Sequence, residues 1–430
     1  MKKESVILRL LLISGLVLGL LIPLVMVESL INERQNYRDD AVSEINRNWS
    51  AKQVLSGPVL TAESEQIIKN PKGDLVVSPK NSHYLPDEMK VNCSLSPEVR
   101  YKGIYQVVLY RASAVISGYF NIDKKNFDVS AKNILLSINV SDLRGIEDGI
   151  SFKWNGKKQV IIPSTKNKDL FGSGLTVQVD SILPGRNNYE FTIMLKGSED
   201  INFIPVGKST IVSLKSIWNN PGFYGEYLPS ERKISDNGFT AKWNVNYFNR
   251  TYPQSWEGAI FEVEKSAFGV KLRMPVDEYQ KSMRSAKYGI LIILLTFVTF
   301  FMIELFSKKI IHPVQYLLVG LSLVIFYAVL VSLSEYILFG YAYITASLLV
   351  IILIALYVRS IYNSLRIALI IASLLAGLYG FLFVLLQLQD FSLLLGTFAL
   401  FLILATIMFI TRKINWFEIF AGKGRNADSN

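Results

Sequence analysis

Cysteine and histidine are almost absent from this chain of 430 residues, which holds one Cys, Cys93, and two His, His83 and His312. A lone cysteine closes no intramolecular disulfide and excludes a cysteine-based metal site, so the segment around it has to be stabilised by packing. Charge is scarce in the long apolar runs. Between Tyr288 and Ile410 there are five runs of the roughly twenty apolar residues that a helix needs to cross a bilayer, and a sixth, Leu10 to Val27, lies near the N-terminus. Half of the residues are hydrophobic, which marks an integral membrane protein. The intervening polar stretch 28–286 carries 33 Lys and Arg against 29 Asp and Glu. This near balance excludes a nucleic-acid footprint.

The charges that remain at the membrane orient it. Met1-Lys2-Lys3 precedes the first run, and Met26-Val27-Glu28-Ser29 offers no small-x-small cleavage site, so the run reads as an anchor and not as a cleaved signal. Arg9 at its inner margin is expected to reach the headgroups along its own stem. The remaining spans are expected at Tyr288–Phe306, Val314–Leu333, Tyr341–Val358, Ile367–Leu386 and Phe391–Ile410. Inner connections then carry Lys308, Lys309, Arg359, Arg366, Arg412 and Lys413, while the short outer ones carry only Glu335 and Asp390. Both termini are expected in the cytoplasm, and the 28–286 segment outside it. His83 and His312 then fall on opposite sides of the membrane, which excludes a His-His metal pair. Small residues such as Gly320, Ala376, Gly377 and Gly380 are candidates for close helix approach.

Beyond the first span, Ala41, Val42, Ile45 and Trp49 share a helical face, so the anchor helix is expected to continue until Ser56-Gly57-Pro58 stops it. Period two follows. Leu175, Val177 and Val179 alternate with polar residues, Phe191, Ile193 and Leu195 with Thr192 and Met194, and Phe239, Ala241, Trp243 and Val245 with polar partners. Asn155-Gly156 between two strand-like runs predicts a hairpin, and Asp236-Asn237-Gly238 a second turn. The expected architecture is α+β, with six transmembrane helices (one N-terminal anchor plus a five-helix C-terminal bundle) and a large all-β, sandwich-like periplasmic domain between helices 1 and 2. Domain limits are expected at 1–27, 28–286, 287–411 and 412–430.

Candidate chemistry is sparse. Gly207-Lys208-Ser209-Thr210 resembles the tail of a phosphate-binding loop, but Asn202 stands where the first glycine is required. A Ser-His-Asp arrangement outside the membrane would need His83, which reads as a solvated loop histidine. The adjacent carboxylates Asp39-Asp40, Asp87-Glu88 and Glu147-Asp148 diverge on any regular element and read as solvated faces. Within the spans the polar candidates are Glu304, Glu335 and Asp390, all at helix edges, where a transport path would require ionisable groups near mid-bilayer. Trp154, Trp218, Trp243 and Trp256 read as core before they read as a ligand surface. The residues retained as a candidate interaction surface are Asp142, Arg144, Trp218, Tyr227 and Trp243, because charged and aromatic residues beside turns present side chains outward. Catalytic, cofactor and metal residues are not expected.

The stretch His312-Pro313-Val314-Gln315-Tyr316-Leu317-Leu318-Val319-Gly320-Leu321-Ser322-Leu323, the run to Leu333-Ser334-Glu335, Leu393-Leu394-Leu395-Gly396-Thr397 and the terminal Thr411-Arg412-Lys413-Ile414-Asn415-Trp416 carry polar and glycine positions that a generic apolar helix lacks. Ser56-Gly57-Pro58, Ser141-Asp142-Leu143-Arg144-Gly145-Ile146 and Gly225-Glu226-Tyr227-Leu228-Pro229 extend the pattern into the polar segment. On these residues the chain resembles the CreD family of bacterial inner-membrane proteins. The resemblance implies a role in cell-envelope integrity, expression tied to a two-component response to envelope or β-lactam stress, and altered tolerance of E-group colicins. It brings no catalytic residue. The leading expectation is a non-enzymatic inner-membrane protein whose periplasmic domain contacts an envelope protein or glycan, with the lipid bilayer as its other partner and self-association left open. The alternatives are a transporter for a small molecule or lipid and an envelope-modifying enzyme.

Overall fold

The computed structural model describes residues 6–387, except 70–73, 124–126, 129–130, 165–168, 180–181, 275–277, 308 and 310, together with scattered residues from 394 to 412. Its helices are α1 (Val6–Trp49), α2 (Glu278–Lys287), α3 (Gly289–Ser307), α4 (Pro313–Ser334), α5 (Phe339–Tyr362) and α6 (Leu365–Gln387). Five helical segments among the described residues are long and apolar enough to cross a membrane, one of them near the N-terminus. The sixth expected span, Phe391–Ile410, lies largely outside the described residues. The chain divides into two compact units, Met1–Arg38 with Val276–Asn430, and Asp39–Pro275. The hydropathy edges near 27 and 286 fall inside α1 and α2, because a helical hydrogen-bond ladder continues past the point where its side chains turn polar.

In the helical unit, α1 seats Leu20 and Leu24 where α3 and α4 present glycine. A Cβ on Gly320 would lie 2.2 Å from Leu20 Cδ1, and one on Gly289 would lie 2.7 Å from Leu24 Cδ1. Gly320 thus permits the close approach expected of it, whereas Gly377 and Gly380 have nothing within 4 Å of an added Cβ. Between α4, α5 and α6, Phe326 packs on Tyr379 at 4.4 Å and on Tyr343 at 5.4 Å. The Tyr343 hydroxyl donates to the Tyr379 carbonyl at 2.9 Å. At the end of α5, Asn363 takes a left-handed turn with φ 51°. Lys309 Nζ donates to the Tyr362 carbonyl at 2.9 Å, so a cation meets the negative end of the helix.

Among its described residues the β unit contains three sheets. An antiparallel six-stranded sheet runs in the order Ser255–Glu257, Leu75–Tyr84, Val59–Lys69, Asn133–Asn139, Gly174–Gln178 and Ile161–Ile162. An eight-stranded sheet runs in the order Glu231–Ser235, Gly238–Asn246, Ser209–Ser216, Glu88–Lys102, Tyr105–Ile122, Gly185–Ser198, Ser151–Trp154 and Lys157–Gln159. A smaller four-stranded sheet joins Gln53–Ser56, Asp200–Ile204, Phe268–Leu272 and Pro221–Gly225. Two of the described pairings are parallel, Gln53–Ser56 with Asp200–Ile204 and Glu88–Lys102 with Ser209–Ser216. They differ from the antiparallel strands expected, since each joins segments far apart in sequence that no turn brings together.

Local rules explain the rest. Asn155 and Gly156 have φ 49° and 80°, as the two-residue turn between Ser151–Trp154 and Lys157–Gln159 requires. Phe239, Ala241, Trp243 and Val245 are buried while Thr240, Lys242 and Asn244 are exposed, the alternation that places one strand face in the core. Gly118 has no room for a side chain, because a Cβ there would lie 1.8 Å from the Glu88 carbonyl oxygen. The inner faces of the sheets share one hydrophobic core that contains Trp154, Trp243 and Trp256.

Candidate functional site

The residues expected to form an interaction surface do not come together as one. Asp142 caps a short turn at Leu143–Gly145 and binds Arg144, with Arg144 Nη2 donating to Asp142 Oδ2 at 2.7 Å. Arg144 Nη1 also donates to the Arg47 carbonyl at 2.9 Å, and the amide of Ala51 donates to Asp142 Oδ2 at 2.9 Å. The pair therefore fastens the last turn of α1 to the β unit. The Arg144 guanidinium, ahead of the backbone amides, holds the Asp142 carboxyl well below the usual carboxylate range. Removing it leaves an amide and a guanidinium without their anion. Asp142→Ala is expected to destabilise the β unit by about 1–3 kcal/mol, read as faster proteolysis of the full-length protein near residues 49–53. Unchanged proteolysis there would contradict this role.

Tyr227 and Trp243 form a separate pair, and Trp218 binds elsewhere in the chain. Trp243 is fully buried and donates from Nε1 to the Tyr227 carbonyl at 3.2 Å. Tyr227 packs edge-on against Phe268 at 5.7 Å and donates its hydroxyl to the Asn249 carbonyl at 2.8 Å. Half-buried Trp218 donates from Nε1 to the Arg273 carbonyl at 3.1 Å. Trp243 therefore belongs to the core and not to a binding surface, because its parity on the strand points it inward. The end of α1 is gripped further at Trp49, whose ring lies 4.3 Å from the Arg100 guanidinium and 4.9 Å from Lys196 Nζ.

His83 corrects the sequence reading. It lies on the strand Leu75–Tyr84 and is fully buried, with Nδ1 3.0 Å from Thr61 Oγ1 and Nε2 3.8 Å from Asp169 Oδ2. The flanking polar residues suggest a loop, but pairing with Val59–Lys69 draws the segment into the sheet. Thr61 is equally buried, so no substrate reaches this Thr-His-Asp alignment. Burial depresses His83 to about 4, with Asp169 opposing the shift. A depressed histidine stabilises the fold fully above its unfolded value near 6.5, and this contribution is lost as pH falls toward 4. Stability is expected to drop by roughly 2–3 kcal/mol between pH 7.5 and 4.5 through this group. His83→Gln should flatten that part of the profile in chemical denaturation, and a profile identical to the parent would contradict the assignment.

The other motifs are occupied by the fold. The amides of Lys208 and Ser209 donate to the Pro86 and Asp87 carbonyls at 2.8 and 2.9 Å, so the loop-like Gly207-Lys208-Ser209-Thr210 turns these two donors to the backbone and not to a phosphate. Glu147 meets Lys196 at 3.1 Å and Arg111 at 3.3 Å, and Asp87 accepts from the Asn121 amide at 2.7 Å. Cys93 is buried, which pushes its thiol up to about 12 and makes it unreactive. No group of three or more His, Cys, Asp or Glu that would hold a metal occurs among the described residues.

In the helical unit two polar clamps tie α1 to the bundle. Arg9 forms an ion pair with Glu304 of α3, which also accepts from the Tyr316 hydroxyl of α4 at 3.0 Å. Glu304 is buried and Arg9 mostly so, so Arg9 turns into the bundle instead of toward the headgroups. Glu335 at the end of α4 accepts from the Tyr279 hydroxyl of α2 at 3.1 Å and lies 3.9 Å from Arg34 Nε, while Arg38 stacks over the Tyr279 ring at 5.5 Å. Arg9 and Arg34 are about 37 Å apart along an ideal helix, between the roughly 30 Å hydrocarbon core and the full bilayer thickness of about 40–45 Å. The spacing matches one clamp at each headgroup layer. Asp390 lies outside the described residues.

Sequence reasoning passed over a groove of about 700 Å³ on the eight-stranded sheet, lined among others by Asn92, Ser94, Ser113, Ser213, Lys215 and Thr240. Every one of these except Lys215 is an uncharged polar residue on the parity opposite the buried positions, so the alternation that reveals the core also marks the groove. What the alternation lacks is the order of the strands.

The family model described as "Inner membrane protein CreD" matches residues 5–417. The chain belongs to the CreD family. Inner membrane protein CreD of Escherichia coli (strain K12) is 32% identical over 421 residues, covering 94% of this chain and 92% of that protein. Membership and the apolar helices make this chain a multi-pass inner-membrane protein. The match runs through both clamps and through the β unit, so both units fall within the shared family region.

Proposed function

We propose that this protein supports envelope integrity without catalysis, by holding a β domain on the periplasmic side of the inner membrane, where the domain binds an envelope component. The carrying observation is the contrast between the candidate reactive groups and the open polar surface. His83, Asp142, Arg144, Glu147 and Glu304 are bonded within the fold, whereas the groove side chains Asn92, Ser113, Lys215, Thr240 and Lys242 are exposed. The orientation rests on Lys and Arg lying in alternate connections, with both termini inside. Glu304 and Glu335, which a transporter would use as gates, are engaged with α1 and favour anchoring over passage. A photo-crosslinker placed at Asn244 or Lys157 in living cells is expected to capture periplasmic or cell-wall material. Capture of cytoplasmic proteins alone would overturn the reading, as would turnover of an envelope substrate by the purified protein.

A further inference from the structure

The groove repeats one chemistry across five strands. Register places Lys233 opposite Thr240, Thr240 opposite Lys215, Lys215 opposite Ser94, and Ser94 opposite Ser113. The next row is Glu231, Lys242, Ser213, Asn92 and Val115. Alternating side chains share a face, so each row is a band of side chains running across the strands, roughly 19 Å long at the usual strand spacing. Leu214 and Ala241 point their side chains into the core, and their backbone supplies the groove floor.

The charge is uneven. Lys215, Lys233 and Lys242 share this face with one carboxylate, Glu231, which lies 3.9 Å from Lys242, while Arg232 lines the groove from the edge strand at the opposite parity. Among the described residues Lys215, Arg232 and Lys233 have no acidic partner, although the β unit as a whole is nearly balanced. The four groove strands from Gly238–Asn246 to Tyr105–Ile122 pair on both sides, so a backbone edge for a peptide strand is confined to Glu231–Ser235 at the groove's margin. Its lining residues include no aromatic, the platform on which an apolar or neutral ring would stack. What remains is hydroxyl and amide groups for hydrogen bonds and ammonium groups for anions.

We infer that this groove binds a linear anionic glycan, whose hydroxyls meet the Ser, Thr and Asn band and whose phosphate or carboxylate groups meet Lys215, Lys233 and Lys242. The inference rests on the proposed periplasmic placement and names the envelope component as a charged polysaccharide. Binding of this kind weakens steeply with salt, since each neutralised anion is screened.

The test uses the full-length protein in nanodiscs, with dextran sulfate as probe, neutral dextran of equal length as control, and lipopolysaccharide and solubilised peptidoglycan as separate arms that distinguish phosphate from carboxylate sources. Dextran sulfate and one envelope arm are expected to bind. The triple variant Lys215→Gln, Lys233→Gln, Lys242→Gln should lose at least tenfold in affinity, while Glu231→Gln should bind several-fold more tightly, an increase that mere damage to the fold does not produce. Equal affinity of the triple variant, or equal binding of neutral dextran, overturns the inference. If an envelope arm binds the triple variant unchanged, the groove assignment fails while the wider reading stands. If no envelope arm binds the parent protein and the in-cell crosslinks also fail, both fall.

Discussion

Arg9→Leu is expected to destabilise the helical unit by about 3–5 kcal/mol, because it leaves Glu304 buried without its cation. Among the described residues Glu304 then retains only the Tyr316 hydroxyl and, at 3.4 Å, the Ile311 amide as donors, and neither carries charge. The reciprocal change, Glu304→Leu, should cost less. Arg9 sits near the start of α1, and its long stem lets the guanidinium swing to the headgroups once its partner is gone. The double variant should recover most of the loss, since replacing both charges by apolar groups removes the desolvation cost together with the attraction. Thermal stability of the four proteins in detergent forms a double-mutant cycle. Additive effects would show that the two groups do not interact, and α1 would then lose its inner tie to the bundle.

Trp243→Ala should destabilise the β unit by about 3–5 kcal/mol. The indole is fully buried, packs against Phe223 at 5.8 Å and Phe268 at 5.6 Å, and donates to the Tyr227 carbonyl. Truncation opens a cavity and strands that carbonyl. Trp243→Phe keeps most of the volume but loses the donor, so it should fall between the two. Because Trp243 lies on the same strand as Thr240 and Lys242, the alanine variant should also weaken any ligand held by the groove, through loss of the strand and not of a contact. Urea unfolding of the parent and both variants checks the ranking, and a cost for Trp243→Ala below about 1 kcal/mol would place the side chain at the surface.

Much of this architecture was legible before the structure. The five described apolar spans, the continuation of α1 toward Trp49, the Asn155-Gly156 hairpin and the inward parity of Phe239, Ala241, Trp243 and Val245 follow from local periodicity and turn chemistry, which act over a few residues. The site was less legible, because it depends on pairings between distant segments. Nothing near Lys215 announces that its strand lies parallel to the one carrying Ser94, nor does Arg9 announce Glu304 across almost the whole chain. His83 was misread for the same reason. Its neighbours are polar, and only pairing with Thr61 and its strand takes it out of water. Asp142 and Arg144 read in the sequence as surface residues beside a turn, and the helix end they fasten is remote in sequence, so their structural duty was hidden.

The account turns on the β unit and the loop joining α5 to α6 lying on opposite sides of the inner membrane. Single-cysteine labelling of intact cells tests this directly, since Cys93 is buried and gives no background. Lys157→Cys, at an exposed hairpin, is predicted to react with a membrane-impermeant maleimide once the outer barrier is opened, while Ser360→Cys, exposed near the end of α5, reacts only after the inner membrane is permeabilised. Labelling with the two positions reversed, or both protected until permeabilisation, would contradict it.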